Sequence, residues 1–149
     1  MRARISDHLG SEITVEVGSV QFGVGRNIST PVGMSSKREA SAPNVGQIGC
    51  TKLMDSTSPL IYQEALRGVA CKAQVDLVET HEEQLETYLS LTLENCMISS
   101  YSASSGGDRP SESFSLNFTK IEYKYTPFDD KHKAGTPVPV TYDVTTATK

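Results

Sequence analysis

The sequence predicts a mainly β domain with one short helix packed against it. Three observations carry that reading. Apolar and polar residues alternate with period two through most patterned stretches, turn residues separate those stretches at regular intervals, and a single segment has helical spacing. At 149 residues the chain forms one domain, 1–149. A chain of this size buries roughly 70% of its unfolded surface, so it needs neither metal nor disulfide to fold. The pattern alone leaves a β-barrel and a β-sandwich both open.

The first strand signal is Ile13, Val15 and Val17 alternating with Thr14 and Glu16. Val20 and Phe22 continue it in the opposite parity, and Gly23-Val24-Gly25 ends it. From Arg26 to Gln47 large apolar residues are scarce, while Ser, Ala, Gly and Pro are common. So long an unpatterned stretch is unusual inside a compact domain and is usually functional or disordered. A long extended loop over about Asn27–Asn44 is therefore expected. Val45–Met54 reads as a strand.

The predicted helix covers about Pro59–Arg67. Asp55-Ser56-Thr57-Ser58 offers capping oxygens, and Pro59 is tolerated in a first turn because its missing N–H would have no partner there. Ile61, Tyr62, Ala65 and Leu66 form the expected apolar stripe, and Gly68 supplies a left-handed stop. So short a helix must lean on a sheet.

Cys71–Thr80 alternates through Ala73, Val75 and Leu77, and His81-Glu82-Glu83 is a polar turn. Tyr88–Ala103 carries Leu89, Leu91 and Leu93, then Met97. After a polar turn at Gly106-Gly107, Ser113–Thr126 reads as one long strand in two phases. Phe114, Leu116 and Phe118 share even parity, whereas Ile121, Tyr123 and Tyr125 are odd. The slip at Thr119-Lys120 predicts a β-bulge, or a strand bending from one sheet into another. Pro127–Thr136 is a charged loop, and Val138–Val144 is the last strand.

Several function classes are disfavoured. A net charge of −4 and a pI near 5.3 argue against phosphate backbones, so no nucleic acid is expected as a partner. Cys50, Cys71 and Cys96 are odd in number and singly spread, which fits buried small hydrophobes in a reducing compartment. MRARISDHLG lacks the apolar stretch of a Sec signal, and no apolar run reaches about 18 residues, so no membrane insertion is expected. Any export would use a route without a cleavable signal.

Catalytic constellations are each short of a member. Gly23-Val-Gly25 has Ile28 where a dinucleotide fingerprint needs its third glycine, and no βαβ unit surrounds it. His81-Glu82 has Leu85 where a zinc protease needs its second histidine, and His8, His81 and His132 share no ligand spacing. No serine lies in GxSxG or SxxK. Asp129-Asp130 beside Lys131 and Lys133 reads as a solvated loop, and Asn27-Ile28-Ser29 and Asn117-Phe118-Thr119 carry no glycosylation meaning without a secretory signal. No enzyme activity, catalytic residue, metal or cofactor is expected.

Other residues carry a resemblance. They are Phe22-Gly-Val-Gly-Arg26, Arg38-Glu-Ala40, Thr51-Lys52, Asp55 and Ser58-Pro59. Further on stand Ser99-Ser-Tyr-Ser102, Gly106-Gly-Asp-Arg-Pro110, Glu112, Ser115-Leu-Asn-Phe118 and Ile121-Glu-Tyr-Lys-Tyr-Thr-Pro127. In this order they make the chain resemble the haemolysin-coregulated protein (Hcp) family, the tube protein of bacterial type VI secretion systems, from about Ile13 to Val144. The resemblance implies a compact β-barrel of two sheets with the helix on one side. It also implies homohexameric rings stacked into a tube inside a contractile sheath, capped by a VgrG-type spike and expelled from the bacterial cytoplasm, with small effector proteins carried in the lumen.

On that resemblance, the loop becomes an arm toward the adjoining ring, with Lys37, Arg38 and Glu39 as its polar contacts. Asp108 and Arg109 become an exposed or subunit-contact turn. The first twelve residues depart from the family's opening strand. Arg2–Ser6 pairs regardless, or a neighbouring subunit covers the edge, or the barrel is less complete. The alternative from another class is a small-molecule or glycan-binding β-sandwich, for which the absence of Trp is unfavourable.

Overall fold

The computed structural model describes residues 1–33, 39–81 and 84–149, apart from the side chains of Glu39 and His81. The chain opens with β1 (Arg2–Ser6), β2 (Glu12–Glu16) and β3 (Ser19–Gln21). Four two-residue strands follow: β4 (Val24–Gly25), β5 (Ile28–Ser29), β6 (Glu39–Ala40) and β7 (Asn44–Val45). Then come β8 (Ile48–Leu53), α1 (Ser58–Arg67) and β9 (Cys71–His81). The rest is β10 (Gln84–Ser104), β11 (Ser111–Asn117), β12 (Lys120–Tyr125) and β13 (Val138–Asp143).

These strands make two layers that share β10. One layer runs β2-β1-β9-β10-β12-β13, and the other runs β10-β11-β8-β3, antiparallel throughout. Their inner faces enclose one core, in which Ile5, Val75, Leu91 and Leu93 meet Ile48, Phe114 and Leu116. The two-sheet class matches expectation, but the barrel does not close. Among the described residues, β2, β13 and β3 are hydrogen-bonded on one side only. Arg2–Ser6 is paired on both sides, Ala3 facing Val15 and Val75. Ala3 and Ile5 are fully buried, so even this short segment alternates into the core.

The phase slip is a corner, and it bends two strands together. β10 pairs with β12 from Leu89↔Tyr125 to Glu94↔Lys120, then with β11 from Met97↔Asn117 onward. Asn95 stands at the break with φ +50°, and the Thr119 N–H donates to the Glu94 carbonyl at 3.2 Å. Before the break Leu89, Leu91 and Leu93 are buried, and after it Cys96 and Ile98 are. Met97 is 41% exposed. An unbroken alternation from Leu93 would carry Met97 inside, but the extra residue at the corner flips the face. The predicted single strand Ser113–Thr126 is thus two, β11 and β12, interrupted at Phe118-Thr119.

The helix forms where expected, with Gly68 at φ +64° donating its N–H to the Glu64 carbonyl. Its inward face differs. Ser58, Ile61 and Glu64 are buried, whereas Tyr62 and Leu66 are 52% and 71% exposed. The sheet meets an i, i+3 line that is two-thirds polar, because Ser58 bonds to Lys52 and Glu112 in the strands and Glu64 to His8 in the turn after β1. Glu64 is held by His8 at 2.8 Å. An apolar stripe read from sequence therefore points partly outward.

Candidate functional site

The unpatterned stretch after β3 is a projecting hairpin rather than an irregular loop. Val24 pairs with Val45 and Gly25 with Asn44, and farther out Ile28 pairs with Ala40 and Ser29 with Glu39. Between these ladders Ser41 fastens the arm. Its N–H donates to the Asn27 carbonyl at 2.9 Å, and its Oγ accepts from the Asn27 N–H at 3.1 Å. At the base the Gly46 N–H reaches the Gly23 carbonyl at 3.0 Å, an approach that a side chain on Gly46 would crowd.

The arm carries exposed apolar side chains. Val24, Ile28 and Val32 are 70%, 56% and 104% exposed. Of the three polar contacts expected on it, Lys37 and Arg38 lie outside the described residues. Glu39 is placed by its backbone in β6.

A second apolar surface lies beside the arm's base. Phe22 and Tyr123 meet with ring centroids 5.9 Å apart and planes tilted by 60°, and Tyr125, Val138 and Val140 are 46%, 58% and 55% exposed nearby along β12 and β13. Phe22, Tyr123 and Val140 line a cavity of about 530 Å³ together with Val45, Phe118, Tyr142 and the basic residues Arg26 and Lys149.

The turn between β10 and β11 is a third candidate surface. Asp108 and Arg109 are exposed there. Gly107 adopts φ +112°, and Ser105 Oγ donates to the Asp108 carbonyl at 2.8 Å. The turn holds its own backbone and leaves both charges to solvent. Among the described residues no hydrogen bond or ion pair joins the arm to this turn.

Several residues that carried the resemblance converge in the interior. Lys52 Nζ donates to Glu112 Oε2 at 2.8 Å, to Asp55 Oδ1 at 3.0 Å, to Ser58 Oγ at 3.1 Å and to the Leu53 carbonyl at 2.9 Å. Ser58 Oγ and the Tyr101 hydroxyl also donate to Glu112, at 2.8 and 2.5 Å. Burial opposes ionisation of Glu112, but hydrogen bonds from Lys52, Tyr101 and Ser58 and the Lys52 charge outweigh it and hold the carboxyl below its usual range. Asp55 is likewise lowered: burial opposes this, and bonds from Thr57 and Lys52 prevail. Tyr101 is pushed up to about 12, by burial first and then by its bond to Glu112.

This network locks α1 and the Leu53–Ser58 turn onto β8, β10 and β11. Its role is positional, since every group in it is spent on another. These residues are legible in the sequence but their contacts are not; a lysine inside an alternating strand, at the buried parity of β8, is the available signal. Among the described residues no group of three His, Cys, Asp or Glu side chains is placed to hold a metal. Nor is any helix long and apolar enough to cross a membrane.

Comparison with known proteins adds a family and a fold. A family model described as type VI secretion system effector, Hcp, matches residues 6–125. No curated protein sequence matches the chain. Among solved structures, a type six secretion system protein is similar with a TM-score of 0.82 at 20% identity, covering 99% of this chain and 98% of that one. A double mutant of the Hcp1 protein from the E. coli EAEC 042 pathovar gives a TM-score of 0.72 at 18% identity, over 96% and 97% of the two chains. Hcp1 from Salmonella typhimurium gives 0.66 at 17% identity, over 98% and 97%. At such identities the structural likeness speaks for the fold alone.

Proposed function

Because the chain belongs to the Hcp family of type VI secretion proteins, we propose that it is a tube subunit that closes into hexameric rings. Rings stack head to tail into a tube expelled from the bacterial cytoplasm without a cleavable signal, and small effector proteins travel in the lumen. A VgrG-type spike caps the tube and a contractile sheath surrounds it. The role is structural and carrying rather than catalytic.

One observation supports this most. The hairpin arm presents Val24, Ile28 and Val32 to solvent, with no element covering them among the described residues. An ordered, exposed apolar projection is a liability on a monomer and an asset in a heterologous contact, which propagates openly when it does not close. The arm is accordingly assigned to stacking, with Lys37, Arg38 and Glu39 as its polar contacts, and the Asp108-Arg109 turn to subunit contact.

The test is oligomeric state followed by deletion. Native mass and negative-stain images of the purified protein are expected to show rings of six. Removal of residues 30–42 is expected to leave rings and abolish stacking. A stable monomer would sink the ring, and normal tubes from the deletion would sink the arm's role. The cavity beside the arm favours a second reading, a small-molecule-binding module; a monomer that binds an apolar fluorescent probe there would support it.

A further inference from the structure

Cys71 and Cys96 are directly opposed across β9 and β10. Opposed residues in an antiparallel pair have Cα atoms about 4.5–5.5 Å apart, inside the roughly 4.4–6.8 Å that a disulfide spans. That register sets the two side chains beside each other, Cys96 fully buried and Cys71 half-buried. All three cysteines are free. Sequence spacing gave no reason to pair any of them, because the partners lie on either side of a turn and of the corner at Asn95.

We propose that Cys71 and Cys96 form a thiol–disulfide exchange site that closes into an intramolecular disulfide when the protein meets a small-molecule disulfide oxidant of the glutathione class. The two positions divide the work. Cys71 is half-buried and reachable, while Cys96 is fully buried behind it. The Cys96 hydrogen bond favours the Cys71 thiolate and lowers its pKa, outweighing burial and the nearby Glu64 charge. The same bond, with burial, raises Cys96.

Cys71 is therefore the attacking sulfur and Cys96 the resolving one. The Cys71 thiolate attacks one sulfur of the oxidant, whose S–S bond breaks, and one glutathione leaves as thiolate and takes a proton. Cys96 then gives up its proton and attacks the Cys71 sulfur, breaking the mixed disulfide and releasing the second glutathione. The protein loses two electrons and the oxidant becomes two thiols. Cys50 is excluded from this exchange. It is 1% exposed, and burial pushes its thiol up to about 12.

The closed bond would tie β9 to β10 at the corner. A protein made in a reducing compartment and passed to an oxidising one would acquire it on the way. The inference stands apart from ring assembly, since both residues belong to one chain.

The experiment uses the full chain in buffers of increasing glutathione disulfide, quenched with an alkylating reagent and mapped by peptide mass spectrometry. Expected is a loss of two of the three free thiols and a crosslinked peptide joining Cys71 to Cys96. Cys50→Ala is expected to leave the crosslink intact, and Cys71→Ser to abolish it. Three alkylated thiols at the most oxidising ratio would overturn the proposal. So would a bond to Cys50, a bond between chains, or a glutathione adduct on Cys71 that never closes. The wild-type map decides the matter even if a variant folds poorly.

Discussion

Lys52 and Glu112, separated by 60 positions in sequence, form a 2.8 Å ion pair with side-chain exposures of 1% and 0%. Removing Lys52 leaves Glu112 buried without a counter-ion, held only by Ser58 and Tyr101, and removing Glu112 leaves Lys52 only the partly exposed Asp55. Lys52→Ala and Glu112→Ala are each expected to cost about 3–5 kcal/mol, measured by urea unfolding at neutral pH. The double variant Lys52→Met/Glu112→Leu is expected to cost less than either, because it removes both desolvated charges together. Single variants that lose under about 1 kcal/mol would mean that the pair does not anchor the helix.

The same network sets the pH response. Glu112 and Asp55 titrate below their ordinary values in the folded protein. Their contribution is complete above the unfolded carboxylate values of 4.5 and 3.8 and is lost as pH falls through the depressed folded values. Tyr101 works in the other direction: its hydroxyl is raised from 10.0 to about 12, so stability falls as pH rises across that window. Unfolding free energies followed from pH 7 to 3 are expected to stay level and then drop below about 4.5. Glu112→Gln should flatten the acid limb, and Tyr101→Phe the alkaline one.

At the corner, Asn95 holds φ +50° on the exposed side of β10. A β-branched residue tolerates that conformation poorly. Asn95→Val is expected to cost about 1–3 kcal/mol, although it removes no buried contact, while Asn95→Gly should be nearly neutral. Thermal melts of the two variants side by side check this, and equal melting points would count against the backbone explanation.

The arm gives a prediction that separates assembly from folding. Val32 is 104% exposed, so Val32→Asp should leave the unfolding free energy within about 0.5 kcal/mol of the parent. The same substitution should prevent tube formation in electron micrographs while rings persist. Tubes of normal length would remove Val32 from the stacking contact.

Much of this fold is written locally. The single helix and its glycine stop, the strands around Val15, Val75 and Leu91, and the slip near Thr119 all follow from which side chains alternate toward a face. The family resemblance also rests on letters that can be read one after another. Local pattern misleads in two places. The parity of Leu93 does not carry across Asn95 to Met97, and the apolar stripe at Tyr62 and Leu66 does not mark the face that α1 buries.

Alternation determined the strands because one-sided burial imposes period two on any strand, whatever its partner. Partnership itself is not local. That Lys52 meets Glu112, that Cys71 faces Cys96, and that the stretch around Ser41 folds back on Asn27 as a hairpin depend on register between distant segments. Register is fixed only when the two layers close on a common core and the corner bends β10 with its neighbour. The sequence determined which residues face inward along each strand; the tertiary structure decided which of them meet.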